Sequence, residues 1–140
     1  MYQKYFEDWQ VKPDYSKEYV SLWDGWLGKE NYHKLDEVTE EEWGRFNILL
    51  KNLAGNFCIE SADCEKETLT GITNIETVLS TYKDSMNKES SEFLKLVFPG
   101  LDCVISEEWD YTYIIWHKNN GAVEKLIPYI KAVGLEHFHD

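Results

Sequence analysis

Apolar residues recur at Trp43, Phe46, Leu50 and Leu53, with Leu49 beside them, at the spacing of one helical face. Polar residues set where that helix starts. Thr39 can accept from the backbone amide at position 42, and Glu42 can reach back to residue 39, a reciprocal cap. Gly55 predicts a left-handed stop, so the helix covers about residues 40–54. Glu40 and Glu41 fall at the positive end of its dipole, where carboxylates stabilise and need no further role. A second cap of the same kind, Thr73-Asn74-Ile75-Glu76, leads into Ile75, Val78, Leu79, Tyr82 and Met86. It predicts a helix over about 74–86. Ser90 or Ser91 starts a short third helix, with Leu94, Val97 and Phe98 inward and Pro99-Gly100 as its stop. Between the first two helices, Phe57-Cys58-Ile59 predicts a short strand and 60–71 a loop.

The N-terminal segment supports two readings. Tyr15, Tyr19, Leu22, Trp23 and Trp26 share one helical face. Trp23-Asp24-Gly25-Trp26 is also a hairpin turn signal. Five agreeing positions favour a helix over 15–27, in which Gly25 costs about 1 kcal/mol; the hairpin stays open.

The period changes in the last 40 residues. Cys103-Val104-Ile105 predicts a strand within 101–106, Glu107-Glu108 a turn, and Asp110 to His117 a second strand rich in Tyr, Thr, Ile and Trp. Alternation places Tyr111, Tyr113, Ile115 and His117 on one face and Asp110, Thr112, Ile114 and Trp116 on the other. Asn119-Asn120-Gly121 turns into a helix whose stripe is Val123, Leu126, Ile127, Ile130 and Val133. Pro128 kinks it, Gly134 ends it, and Leu135 to Phe138 returns as an edge strand. The pattern predicts one α+β domain over 1–140: a small, mainly antiparallel sheet packed with three to five helices.

Composition narrows the function classes. With 140 residues, 43% of them hydrophobic, the chain can bury a core without disulfides or metal. Its 26 acids against 14 bases give a net charge of −12, and Arg45 is the only arginine. A phosphate-binding surface needs a basic field and forked guanidinium groups, so no nucleic-acid partner is expected. The charge suits either solubility or a basic protein partner. Cys58, Cys64 and Cys103 form no CxxC pair and no even framework, which fits a reducing, cytoplasmic compartment. The opening MYQKYFEDWQ has no apolar stretch of a signal peptide, and no apolar run is long enough for a membrane span.

Candidate chemistry is sparse. His137 and His139 point the same way on a strand and with His117 could bind a transition metal. A terminal HFHD is ordinarily a frayed end, however, and no cofactor or structural metal is expected; chelation should leave the melting temperature and secondary structure unchanged. Cys58 and Cys64 have the wrong spacing for a zinc knuckle and read as small buried hydrophobes. A Cys–His nucleophile pair has no local support; no G-x-S-x-G elbow or glycine-rich phosphate loop occurs, and no catalytic residue is assigned. Asp102, Glu107, Glu108 and Asp110 cluster as glycosidase carboxylates do, but acids around a turn are usually solvated. The aromatic run SEEWDYTYIIWHK is the strongest recognition candidate. Its rings serve either as sheet core or, beside acids, as interface anchors. The expected partner-binding residues are Glu107, Glu108, Asp110, Tyr111 and Tyr113, with Asp63, Glu65 and Glu67 in the 60–71 loop next in line.

SEEWDYTYIIWHK followed by GAVEKLIPYIKAVGLEHF, on an acidic and aromatic-rich α+β chain, resembles the small immunity proteins of bacterial toxin–immunity systems, including those of contact-dependent inhibition. The resemblance covers roughly the last 40 residues and carries no signature motif, so no site residue transfers through it. It implies a non-enzymatic inhibitor that neutralises a basic toxin domain, often a nuclease. The rival expectations are an acidic adaptor or nucleic-acid mimic, whose carboxylates would be spaced like phosphates along one face, and a small enzyme with an aromatic pocket, whose titratable groups would converge in a cleft.

Overall fold

The computed structural model describes residues 1–139; Asp140 lies outside the described residues. The chain opens with one helical turn, α1 (Tyr2–Tyr5), and a tight antiparallel ribbon of β1 (Phe6–Glu7) and β2 (Gln10–Val11). Strand β3 (Ser16–Ser21) follows. An irregular segment with a 3-10 stretch over Lys29–Glu37 then leads to α2 (Glu40–Ala54). A hairpin of β4 (Glu60–Asp63) and β5 (Thr68–Gly71), a short α3 (Tyr82–Ser85) and β6 (Lys95–Phe98) come next. The chain closes with β7 (Cys103–Glu107), β8 (Thr112–His117), α4 (Asn120–Ala132) and β9 (Glu136–Phe138).

Seven strands form one antiparallel sheet in the order β5-β4-β6-β7-β8-β3-β9, and with the helices packed on it the chain is an α+β fold. Register fixes which side chains meet. Leu96 lies opposite Ile105 and Ile105 opposite Ile115, whereas Val97 lies opposite Val104 and Val104 opposite Trp116. Because side chains alternate along a strand, these two ladders belong to opposite faces. The first face carries the main core, where α2 contributes Phe46, Leu49, Leu50 and Leu53 and α4 contributes Val123, Leu126 and Ile130. The second face is covered in part by the N-terminal unit, with Tyr2, Tyr5, Phe6, Val11 and Tyr15 packed over Val97 and Val104.

Several expectations hold. Thr39 and Glu42 form the reciprocal cap of α2, Asn119 caps α4 by accepting from the Ala122 amide, and Pro128 lies inside that helix. The two expected C-terminal strands are β7 and β8, with Tyr113, Ile115 and His117 all buried, but the turn is shifted: Glu107 closes β7, and Asp110 and Tyr111, expected in the second strand, are left-handed residues of the turn.

Others are corrected. The 15–27 segment is not a helix: β3 runs through it and is the second strand from one edge, held between β8 and β9. Tyr19 and Val20 are both buried although they point to opposite faces, so both sides are apolar and the helical spacing of the rings is incidental. The 74–86 helix breaks into a 3-10 turn over Ile75–Thr77 and the separate α3. Asn74, not Thr73, caps the first piece, and Thr81 caps the second. The run Thr77-Val78-Leu79-Ser80-Thr81 is β-branched and hydroxyl-rich, which works against a continuous helix. The third expected helix is instead a 3-10 turn over Ser90–Glu92 followed by β6, whose Leu96 and Phe98 face one core and Val97 the other. Residues 60–71 are the β4–β5 hairpin, while Phe57 and Cys58 precede it without pairing. Gly55 is right-handed (φ −74°), and the helix end is closed by the Phe57 amide donating to the Leu53 carbonyl at 2.8 Å.

Candidate partner-binding site

The turn between β7 and β8 is built on two consecutive left-handed residues. Asp110 has φ 60° and Tyr111 φ 56°, a conformation that costs non-glycine residues energy. The Glu108 amide donates to the Thr112 carbonyl at 2.9 Å, and the Thr112 hydroxyl donates to the Asp110 carbonyl at 3.2 Å. These bonds hold the kinked turn in place. Trp109 projects from it, 60% exposed, and meets Phe93 edge-on at 4.7 Å. Tyr111, half-buried, meets Trp23 edge-on at 6.3 Å.

The glutamates before the turn have different roles. Glu107 accepts from Lys88 Nζ at 2.8 Å and from the Leu94 amide at 2.9 Å, and the two charged side chains are only 16% and 10% exposed. Glu107 therefore ties the 88–94 segment to the sheet. Glu108 ends a relay across the second face: Trp116 Nε1 donates to Ser106 Oγ at 2.8 Å, and Ser106 Oγ donates to Glu108 Oε2 at 2.7 Å. The relay fixes a carboxylate on the open part of that face.

Three cavities, of about 290, 440 and 440 Å3, meet at this turn, and Glu108 and Trp109 line all of them. The first runs beneath the turn towards Trp43 and Asn47 of α2. The second lies between the turn and the 22–35 segment, where Trp26 and Tyr32 are 57% and 54% exposed. The third lies between the turn and the N-terminal ribbon, beside the exposed Trp9. Around the second cavity, segments 22–38 and 107–111 carry seven carboxylates against two lysines. Rings and acids thus surround a common centre.

The structure sorts the expected binding residues. Glu108, Asp110 and Tyr111 line the cavities at the turn. Glu107 and Tyr113 line the first cavity as well, but Glu107 is engaged with Lys88, and Tyr113 is core, its ring 4.7 Å from that of Phe46. Burial, with the charge of Glu107 adding to it, pushes the Tyr113 phenol well above the ordinary tyrosine value. Asp63, Glu65 and Glu67 line none of the three cavities. Asp63 organises the β4–β5 turn by accepting from the Glu65 and Lys66 amides at 3.0 and 3.1 Å. Trp26, Tyr32 and Trp9 were not among the expected residues. Trp9 and Tyr32 lie outside any periodic stripe, which marks a ring without an assigned place in the core, whereas Trp26 was hidden by the incidental helical spacing of 15–27. Cys58 is exposed and Cys64 half-buried, against the expectation that both are buried hydrophobes; Cys103 is buried, which pushes its thiol up to about 12 and works against a thiolate nucleophile there. No helix among the described residues is long and apolar enough to cross a membrane. Compared with known protein families, curated proteins and solved structures, the chain matches none.

Proposed function

We propose that the protein is a non-enzymatic binding protein that occludes a basic protein partner, and that it acts as an immunity protein against a bacterial toxin domain. The observation that carries the reading is the turn at Glu108–Trp109, where an exposed tryptophan on a kinked backbone stands among rings and carboxylates. Large aromatic anchors supply contact area at small entropic cost, and flanking acids steer a cationic surface and exclude acidic ones. A chain of net charge −12 with a single arginine suits such a partner. The mimic reading is less well supported, because carboxylates here alternate with rings instead of running in a phosphate-like row. The enzyme reading is less well supported, because Glu107 in the first cavity is committed to Lys88 and the Leu94 amide and is not free to act as an acid or base.

The test is protection. A toxin C-terminal domain encoded beside this chain should kill cells expressed alone and spare them when this chain is co-expressed. The purified pair should bind one to one. Asp110→Asn combined with Asp24→Asn should slow association at low salt, with the difference shrinking at high salt. Glu107 must stay in place, since its removal disturbs the fold. Toxicity undiminished by co-expression, with both proteins folded, would sink the reading.

A further inference from the structure

At the other end of β8, away from the turn, three histidines surround one glutamate. Glu18 lies in β3 between β8 and β9, opposite Ile115. His117 ends β8 on one side, and His137 in β9 lies on the other, with His139 just past that strand. His137 Nε2 is 2.9 Å from Glu18 Oε1, His117 Nε2 3.8 Å from Glu18 Oε2, and His139 Nδ1 3.9 Å from Glu18 Oε1.

His117 leaves one buried ring nitrogen without a hydrogen-bond partner among the described residues. Its side chain is 4% exposed, and its Nδ1 lies 3.1 Å from the Asn119 carbonyl oxygen. A carbonyl only accepts, so Nδ1 carries a proton, and Nε2 is left to offer its lone pair to a cation. That atom is buried and finds no hydrogen bond within the described residues. It faces a carboxylate oxygen, another acceptor. Two lone pairs facing each other away from water are unfavourable unless a cation stands between them.

We propose that Glu18, His117, His137 and His139 form a binding site for one divalent transition-metal ion of the zinc class. An Nδ1–H committed to a backbone carbonyl, with Nε2 free, is how ligating histidines are oriented. Three imidazoles and a carboxylate favour zinc, nickel or copper over magnesium or calcium. Neighbouring ligands on a tetrahedral zinc ion are about 3.4 Å apart, given bonds of about 2.0–2.2 Å. The three nitrogen–oxygen separations of 2.9, 3.8 and 3.9 Å straddle that value. The donors are not yet gathered on a point, and among the described residues no group of three is already placed to hold a metal ion. His137 donates to Glu18 at 2.9 Å, and the ion replaces that proton. His139 is 70% exposed and lies at the end of a three-residue edge strand, so it can close over the site. The ion binds an already folded chain, so chelation removes it without unfolding the sheet.

The test uses the untagged full-length chain, stripped with a chelator and titrated with Zn2+ by calorimetry. One ion per chain is expected, with a melting temperature that rises with free zinc. Glu18→Gln, which still accepts from His137, and His117→Ala should weaken binding by about tenfold or more. His139→Ala removes an exposed ring with no core role and so leaves the fold intact; it should weaken binding severalfold. His33→Ala, on an exposed stretch elsewhere, should change nothing. Bound Co2+ should show the intense visible bands of tetrahedral coordination. The proposal is overturned if Zn2+ gives neither heat nor a melting shift. It is also overturned if binding survives both Glu18→Gln and His139→Ala, or is lost in His33→Ala.

Discussion

The two faces of the central sheet are covered in different ways. On one, α2 and α4 lay regular stripes of Leu, Ile, Val and Phe over Leu96, Ile105 and Ile115. On the other, an aromatic N-terminal unit covers only the Val97–Val104 ladder, and the irregular 22–38 segment stands beyond it with cavities between. Near the β7–β8 turn the helical face opens in the smaller cavity beside α2, and the aromatic face in the two larger ones. A regular helix buries its stripe along its whole length, so it leaves little to bind. An irregular cover made of rings leaves edges and clefts where rings stay half-exposed, and a partner can use those. Function is therefore sought on the face whose cover has no period.

The largest effect that tests this contrast is on the helical face. Leu126 and Ile130 are essentially inaccessible, so Leu126→Ala and Ile130→Ala should each cost about 2–5 kcal/mol in urea unfolding. Losses near zero for both would mean that α4 is not the lid of a closed core. The matching experiment on the other face is Phe6→Ala. Phe6 is 2% exposed and stacks on Tyr2 at 4.8 Å, so about 3 kcal/mol is expected if the N-terminal unit is a true second core. A loss well under 1 kcal/mol, with the rest of the unfolding curve unchanged, would show that this unit docks loosely and that the second face is more open than described.

What could be read in advance follows the same division. The stripe of α2 with its cap, and the Asn119 start of α4, are local patterns, and local patterns hold wherever one face of an element is buried. The alternation in β8 was legible for the same reason. The β3 segment was not, because Tyr19 and Val20 are buried on opposite faces and no period distinguishes strand from helix when both sides are apolar. The misreading concealed the Glu18 cluster as well, since a glutamate placed on a helix cannot be lined up with His117 and His137 across strands. At the candidate site the turn itself was visible, and its acids and rings were marked as a group. The split between Glu107 as an internal tie and Glu108 as a surface carboxylate depends on Lys88 and Ser106, partners that only the folded register supplies.

That split can be measured. Lys88→Met leaves the Glu107 carboxylate largely buried with only the Leu94 amide beside it, and should cost about 2 kcal/mol of stability. Asp110→Asn, on an exposed residue of the same turn, should leave stability within about 0.5 kcal/mol. Equal effects from the two variants in thermal or urea unfolding would remove the boundary drawn here between the tie and the surface.

The smallest stability effect is expected where the functional effect is greatest, at Trp109. A tryptophan ordinarily costs about 3–5 kcal/mol when cut to alanine in a core. Trp109 is 60% exposed, and its ring contact is an edge-on meeting with Phe93. Trp109→Ala should therefore change stability by only about 0.5 kcal/mol. The kinked backbone at Asp110 and Tyr111 should survive, because its bonds run through Glu108 and Thr112 and not through the indole. Against a basic partner the same substitution should speed dissociation, by about 2 kcal/mol in binding if the ring is the central anchor. Association rates should be nearly unchanged, since the carboxylates that steer the encounter remain. The measurement is surface plasmon resonance on folded variants at two salt concentrations, paired with urea unfolding. A Trp109→Ala chain that unfolds several kcal/mol more easily would place the ring in the structure, and the aromatic face would then be a second core with no anchor to offer. A stable variant that binds with unchanged dissociation would leave the fold as described and move the interface away from this turn.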